Sequence, residues 1–248
     1  MIYIIGDTQQ KPNVRNSMLA FAHHIADLKP TTVIHLGDHW DLPSLSFWDK
    51  GKKSHRPKTY MKDMQAGNKA MVDFWDLLLK LWPRARTNCK FILLRGNHED
   101  RRNKAIEYCE DHYVDLLESV QFNDKKWHKV VPFLKVIKVE GIEFSHFFAQ
   151  PNSGKAIASA KHLLNKRHVS CIAGHLQGFD YAEVLQGKDK TIQSLIMGSS
   201  YYHDETYKSH NNHHWRGIVV LHNTKTSTGF DFSRYSLETL DTMYKGKL

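Results

Sequence analysis

Residues 32–41 read Thr32-Val33-Ile34-His35-Leu36-Gly37-Asp38-His39-Trp40-Asp41, an apolar run that stops at a glycine and passes at once into acidic and imidazole side chains. A run this short and this rich in β-branched residues reads as a buried strand with a polar turn at its carboxyl end. The same grammar recurs along the chain. Residues 2–5 run into Gly6-Asp7-Thr8-Gln9, residues 90–94 into Gly96-Asn97-His98-Glu99, and residues 170–173 into Gly174-His175-Leu176-Gln177. A further strand, 142–145, closes on His146. One Gly-Asp or Gly-His after a strand is ordinary turn chemistry. Several in one chain are a different matter, because the carboxyl ends of strands in α/β sheets are where ligands gather, and glycine lets the next side chain turn into the crevice.

Between these strands the spacing predicts helices over 13–29, 61–81 and 103–119. After Trp127 it predicts a hairpin of 133–139 and 142–145 around Glu140-Gly141, a helix over 153–166, and strands at 191–197, 217–222 and 229–235. No repeat and no long linker divides the chain, so residues 1–248 read as one α/β domain with two strand-rich layers.

The 28.9 kDa chain is 41% hydrophobic and 25% charged, with a mean hydropathy of −0.53, which excludes disordered and fibrous classes. Its apolar runs fall short of the roughly 18 residues of a membrane-spanning helix. Three scattered cysteines, Cys89, Cys109 and Cys171, argue against a disulfide framework or a cysteine-based zinc site. The start of the chain reads as a strand rather than a signal peptide, which points to a cytoplasmic protein. A net charge of +9 favours polyanionic partners. The 17 histidines, roughly three times ordinary usage, call for an explanation.

In their order, Gly-Asp-x-x, Gly-Asp-x-x-Asp, Gly-Asn-His-Glu, a lone His and Gly-His-x-x resemble the calcineurin-like metallophosphoesterase superfamily over roughly residues 1–180, with the turns at 37–41 and 96–99 the most specific parts. Residues 38–46, with His214-Trp215-Arg216-Gly217, are also similar to a branch common in tailed-phage genomes, which would place the protein in a host cytoplasm. The resemblance implies an α/β/β/α sandwich of two mixed sheets flanked by helices, and a centre for two divalent metals, Mn²⁺ first, with Mg²⁺, Ni²⁺, Fe²⁺ or Zn²⁺ as alternatives. It implies that Asp38 bridges the metals, that Asn97, His146 and His175 complete one site, and that Asp7 serves the other. His98 becomes the general acid, oriented by Asp41. Two metals suit phosphoryl transfer because they neutralise phosphoryl oxygens and acidify a water for in-line attack.

This sequence departs from that pattern at two positions. Gln9 and Gln177 stand where the family usually has histidine, and both fall on the Asp7 metal. An amide oxygen in place of an imidazole shifts that site toward harder ions and weakens its hold on Zn²⁺.

Arg95 and Arg101 flank the 96–99 turn and are candidate substrate contacts, as are His203, His213, His214 and Arg216 in the histidine-rich segment 199–216. That segment reads as an active-site lid or substrate loop, a source of replacement ligands, or a plain polar surface loop. A basic cluster, Lys50, Lys52, Lys53, His55, Arg56 and Lys58, lies in the loop after Asp41. Together these features favour a phosphodiesterase or nuclease acting on DNA, RNA or nucleotides. A phosphomonoesterase of the Ser/Thr protein phosphatase type is the first alternative, because Leu93 to Glu99 resembles that branch; Leu42-Pro43 departs from the Arg-Gly that branch carries there. The Gln9 and Gln177 replacements motivate a third reading, a non-catalytic metal- or nucleic-acid-binding module.

Overall fold

The computed structural model describes residues 1–47, 51, 58–108, 111–188, 190–205, 214–226 and 229–247. In chain order the first half runs β1 (Ile2–Ile5), α1 (Met18–Leu28), β2 (Thr32–His35), α2 (Tyr60–Leu81), α3 (Ala85–Asn88), β3 (Lys90–Leu94), α4 (Asn97–Tyr108) and α5 (Asp111–Ser119). The second half runs β4 (Lys129–Val131), β5 (Ile137–Val139), β6 (Ile142–Ser145), α6 (Ala160–Arg167), β7 (Cys171–Ala173), β8 (Phe179–Gln186), β9 (Lys190–Met197), β10 (Gly217–Thr226), β11 (Gly229–Ser236) and α7 (Leu237–Met243).

Two mixed sheets result. The first has the order β11-β10-β1-β2-β3-β4 and the second β5-β6-β7-β9-β8. All four residues of β1 are fully buried because the strand is central, parallel to β2 on one side and antiparallel to β10 on the other. The sheets share one core, in which Ile4, Ile34 and Val219 of the first are continuous with Phe144, Ile172 and Leu195 of the second. Strand β7 shows the layering in three residues. Ile172 joins that central core, while Cys171 and Ala173 face a second cluster with Leu163 of α6, the alternation expected of a strand covered on both faces. Helices α1, α2 and α7 cover the first sheet, α1 lying against both α2 and α7, and α6 covers β8 and β9. The fold is therefore the expected two-sheet sandwich flanked by helices.

Several local boundaries differ from the sequence reading. Helix α1 starts at Met18 rather than residue 13, where Asn16 Oδ1 accepts the Met18 N–H. Helix α6 starts at Ala160, capped by the Ser159 side chain, which accepts from His162 N–H, so residues 153–159 are not helical. The predicted helix over 103–119 is two helices, and the first begins six residues earlier, at Asn97. Strands β4 and β8 had no counterpart in the sequence reading. The predicted strand 133–139 is reduced to Ile137–Val139.

Every strand of the parallel cores ends at the same edge of the sandwich, and the polar turns follow those ends: Gly6-Asp7 after β1, Gly37-Asp38 after β2, Gly96-Asn97 after β3, His146 after β6 and Gly174-His175 after β7.

Candidate metal centre and active site

The turns are locked together by backbone rather than by chance proximity. Thr8 N–H and Gln9 N–H both donate to the Asp38 carbonyl, at 3.2 and 2.8 Å, and Gly174 N–H donates to the His146 carbonyl at 2.9 Å. The buried Glu99 carboxylate accepts four backbone N–H groups, from Asp38, His39, Trp40 and Gly96, at 2.6–3.0 Å. It thus pins the turn after β2 to the turn after β3. Two glycines make the approach possible. Gly37 sits at φ +108°, and a Cβ on Gly96 would lie 2.0 Å from Asp38 Oδ1 and 2.6 Å from Asp38 N.

Four side chains meet on one side of the centre. Asp38 Oδ1 accepts the His98 N–H at 2.8 Å, leaving Oδ2 to face His146 Nε2 at 3.3 Å. His146 Nδ1–H donates to the Leu36 carbonyl at 2.9 Å, which orients the ring and points Nε2 inward, where it lies 2.8 Å from Asn97 Oδ1. One donor atom each from Asp38, His146 and His175 lies within 4.8 Å of the others, a spacing that suits a shared cation.

The other side is built from Asp7, Gln9 and Gln177, all buried. Asp7 Oδ1 accepts the His175 N–H at 3.2 Å, but among the described residues Asp7 Oδ2 and both amide atoms of Gln9, all buried, have no hydrogen-bond partner. Each such group costs about 1–3 kcal/mol if left unsatisfied, so buried oxygens of this kind call for an occupant. A divalent cation fits: the donor set is oxygen and imidazole, gathered at strand ends. Backbone conformation marks the same residues. Gln9, Asp38, His175 and Gln177 adopt left-handed φ of 39°, 52°, 67° and 61°, a region that costs a non-glycine residue roughly 1–2 kcal/mol. Strain of this kind persists where surrounding structure dictates it, and it concentrates at functional sites.

Electrostatics follow the same division. Burial, reinforced by the charge of Asp38, pushes the Asp7 carboxyl up to about 7. Burial also opposes ionisation of Asp38, yet the charges of His146 and His98 outweigh it and hold that carboxyl low. His146 is driven the other way, up to about 9, because Asp38 overcomes its burial penalty. In the absence of metal the centre therefore balances its carboxylates with protons, which a bound cation would replace.

His98 stands at the edge of this group. Its Nδ1–H donates to Asp41 Oδ1 at 2.8 Å, and its Nε2 lies 3.7 Å from Asp38 Oδ2 and 3.0 Å from Arg101 Nη2. Burial works against its protonation, but Asp38 and Asp41 together raise its pKa above the ordinary value. Arg101 also donates to the Asp41 carbonyl at 2.7 Å, so it is held beside the His98 ring.

Not every sequence-predicted residue reaches the centre. Arg95 does not: its guanidinium pairs with Asp124 and packs against the rings of Phe122 and Trp40, at 4.2 and 5.2 Å from their centroids, a supporting position. Arg216 donates to the Tyr202 carbonyl and to Asp204 Oδ1, both at 2.6 Å, and His214 shares an open groove with Tyr202, Trp215 and Arg216. His203 Nε2–H donates to Glu205 Oε1 at 2.7 Å. His213, like His210, Cys109 and the basic residues Lys50, Lys52, Lys53, His55 and Arg56, lies outside the described residues. The first part of segment 199–216 is not a surface loop. Ser199, Ser200 and Tyr201 are fully buried, Ser200 N–H donates to the Asp7 carbonyl at 2.7 Å, and Ser200 Oγ donates to the Gly217 carbonyl. Sequence reasoning assigned no role to Glu99 or Lys11. The acidic pair Glu99-Asp100 opening α4 is the helix-start signal that marks Glu99 as structural.

A family model described as calcineurin-like phosphoesterase matches residues 1–246, nearly the whole chain. The chain belongs to the calcineurin-like phosphoesterase family. A stretch of the chain is 42% identical over 52 residues to the Gene 54 protein of Mycobacterium phage L5; that match spans 21% of the chain and 20% of the phage protein. One crystal structure covers 95% of the chain and 98% of its own at 11% identity and a TM-score of 0.37. Among the described residues, no helix is long and apolar enough to cross a membrane. The family implies divalent metal ions and a phosphoester substrate, and among the described residues Asp38, His146 and His175 form a group that could hold such an ion.

Proposed function

We propose that the protein is a metal-dependent phosphodiesterase whose substrate is a nucleic acid or nucleotide. The observation that carries this reading is the juxtaposition of His98, backed by Asp41, with the Asp38 carboxylate that both halves of the centre share. Asp38, Asn97, His146 and His175 would hold one metal, and Asp7, Gln9 and Gln177, with Asp38, the second. Divalent metals bound there supply charge neutralisation at the phosphoryl oxygens and an acidified water.

The protein's own residues do the rest. Asp41 accepts the His98 Nδ1–H, which orients the ring and favours its imidazolium form, whose Nε2–H faces the reacting phosphate and would pass its proton to the departing oxygen. Arg101, 3.0 Å from that nitrogen, is placed to take a nonbridging phosphate oxygen by charge-assisted hydrogen bonds, and in doing so it leaves Nε2 to the leaving group. The net charge of +9 supports a polyanionic substrate over a small neutral ester. The phosphomonoesterase reading is the weaker one, because Leu42, fully buried, stands where that branch places an arginine.

The test is hydrolysis of bis-p-nitrophenyl phosphate against p-nitrophenyl phosphate with Mn²⁺, followed by single-stranded and duplex DNA, RNA and cyclic nucleotides. The diester is expected to turn over faster. Preference for the monoester would transfer the protein to the alternative class. Silence with Mn²⁺, Mg²⁺, Ni²⁺ and Zn²⁺ would overturn the enzymatic reading and leave a binding module.

A further inference from the structure

Behind the His98–Asp41 pair lies a cation that the reaction described above does not use. Lys11, in the turn that follows β1, directs its ammonium at Asp41 Oδ2 (3.0 Å) and at Glu205 Oε1 (2.8 Å), and only a fifth of its side chain is exposed. The two carboxylates are more deeply buried, at 5% and 4%. Asp41 thus divides its oxygens: Oδ1 takes the His98 Nδ1–H and Oδ2 takes Lys11. A carboxylate held at both oxygens cannot rotate about its last bond without breaking one of the two contacts, whereas one held only at Oδ1 can. Burial works against the charge on Lys11, but Asp41 and Glu205 outweigh it, so the ammonium is retained. Glu205 anchors the far end, and its Oε1 also lies 2.7 Å from His203 Nε2.

We infer that Lys11 is a positioning residue: it fixes the Asp41 carboxylate in the rotamer that orients His98, and the buried Glu205 fixes Lys11. The inference rests on the proposed role of His98 for its catalytic consequence, and on geometry alone for its structural one.

Two measurements separate these. Lys11→Met removes the cation that stands between Asp41 and Glu205, so the charge-compensated double variant Lys11→Met with Glu205→Gln carries the test if the single variant does not fold. Lys11→Arg serves as the rescue. In metal-free protein labelled with ¹⁵N-histidine, at a pH high enough to deprotonate the ring, the His98 ring, assigned by its absence in His98→Gln, is expected to be a single Nδ1–H tautomer in the wild type and in Lys11→Arg. It is expected to become a tautomer mixture in the double variant. An unchanged His98 signal in the double variant overturns the inference. With metal, the double variant is expected to lose about tenfold in kcat on a phenyl ester and less than about twofold on a 2,4-dinitrophenyl ester, because only the poor leaving group needs the proton. Equal losses on both esters also overturn it. If the wild type hydrolyses neither ester, the phosphodiesterase reading fails while the tautomer measurement still decides the role of Lys11.

Discussion

The two halves of the metal centre are built from the same kind of strand-end turn and finished differently. On the His146 side, the imidazole is oriented by the Leu36 carbonyl and its inward nitrogen already touches Asn97 and Asp38. On the Asp7 side, one carboxylate oxygen and a whole glutamine amide are buried with no hydrogen-bond partner among the described residues. In our proposal the first half is preassembled by protein contacts, and the second would need a cation to satisfy its atoms. Imidazole nitrogen is replaced by amide oxygen on that second side, so softness and affinity should fall together. In our account the centre holds one metal tightly and the other weakly, with Asp38 common to both.

Breaking the common element has the largest effect. Asp38→Asn removes the charge both sites share and is expected to reduce ester hydrolysis to the uncatalysed background and to lower the Mn²⁺ stoichiometry measured by elemental analysis; full stoichiometry in the variant would contradict a bridging role. His98→Ala is expected to cost about 10²–10⁴-fold in turnover of esters with poor leaving groups while the metal content stays unchanged, which separates the acid from the ligands. The comparison is sharpened by Gln9→His combined with Gln177→His. Restoring imidazoles should raise Zn²⁺ affinity at the weaker site by about tenfold or more, read by competition with a chromogenic chelator, and leave the tighter site as it was.

The smallest effect lies outside the centre and sets the baseline for any acid titration of it. His24 is buried beside Tyr3, whose hydroxyl lies 3.2 Å from Nδ1, and burial depresses its pKa to about 4. A folded-state value below the unfolded value of about 6.5 means that protons bind the unfolded chain better. Its stabilising contribution is complete above pH 6.5 and is lost as pH falls toward 4, by about 2–3 kcal/mol. Urea unfolding midpoints at pH 7 and pH 4.5 should show this decline, and His24→Gln should flatten it; a decline of equal size in the variant would assign it to other groups.

Much of this molecule was legible in its sequence because function sits where the chain is most constrained. The strand-glycine-acid pattern at 32–41 and 90–99 announces itself, since a buried parallel strand is mostly apolar before the turn and Gly37 and Gly96 tolerate no side chain. Strand β8 was silent for the opposite reason. It is an edge strand, half to fully exposed along its length, and shows no alternation to read. Strand β4 has three residues, two of them exposed. Helix α4 was begun too late because Asn97 and His98 were read as turn residues, although they already lie in its first turn. Lys11 and Glu205, 194 residues apart in sequence, carry no local signal of their contact, which only the closed fold creates.

The central claim is the inequality of the two sites, and Mn²⁺ binding to the metal-free protein, followed by the paramagnetic resonance of the free ion, tests it most directly. The account predicts two ions per chain taken up in two resolved steps. Two ions bound in a single step of equal affinity, or none, would contradict it.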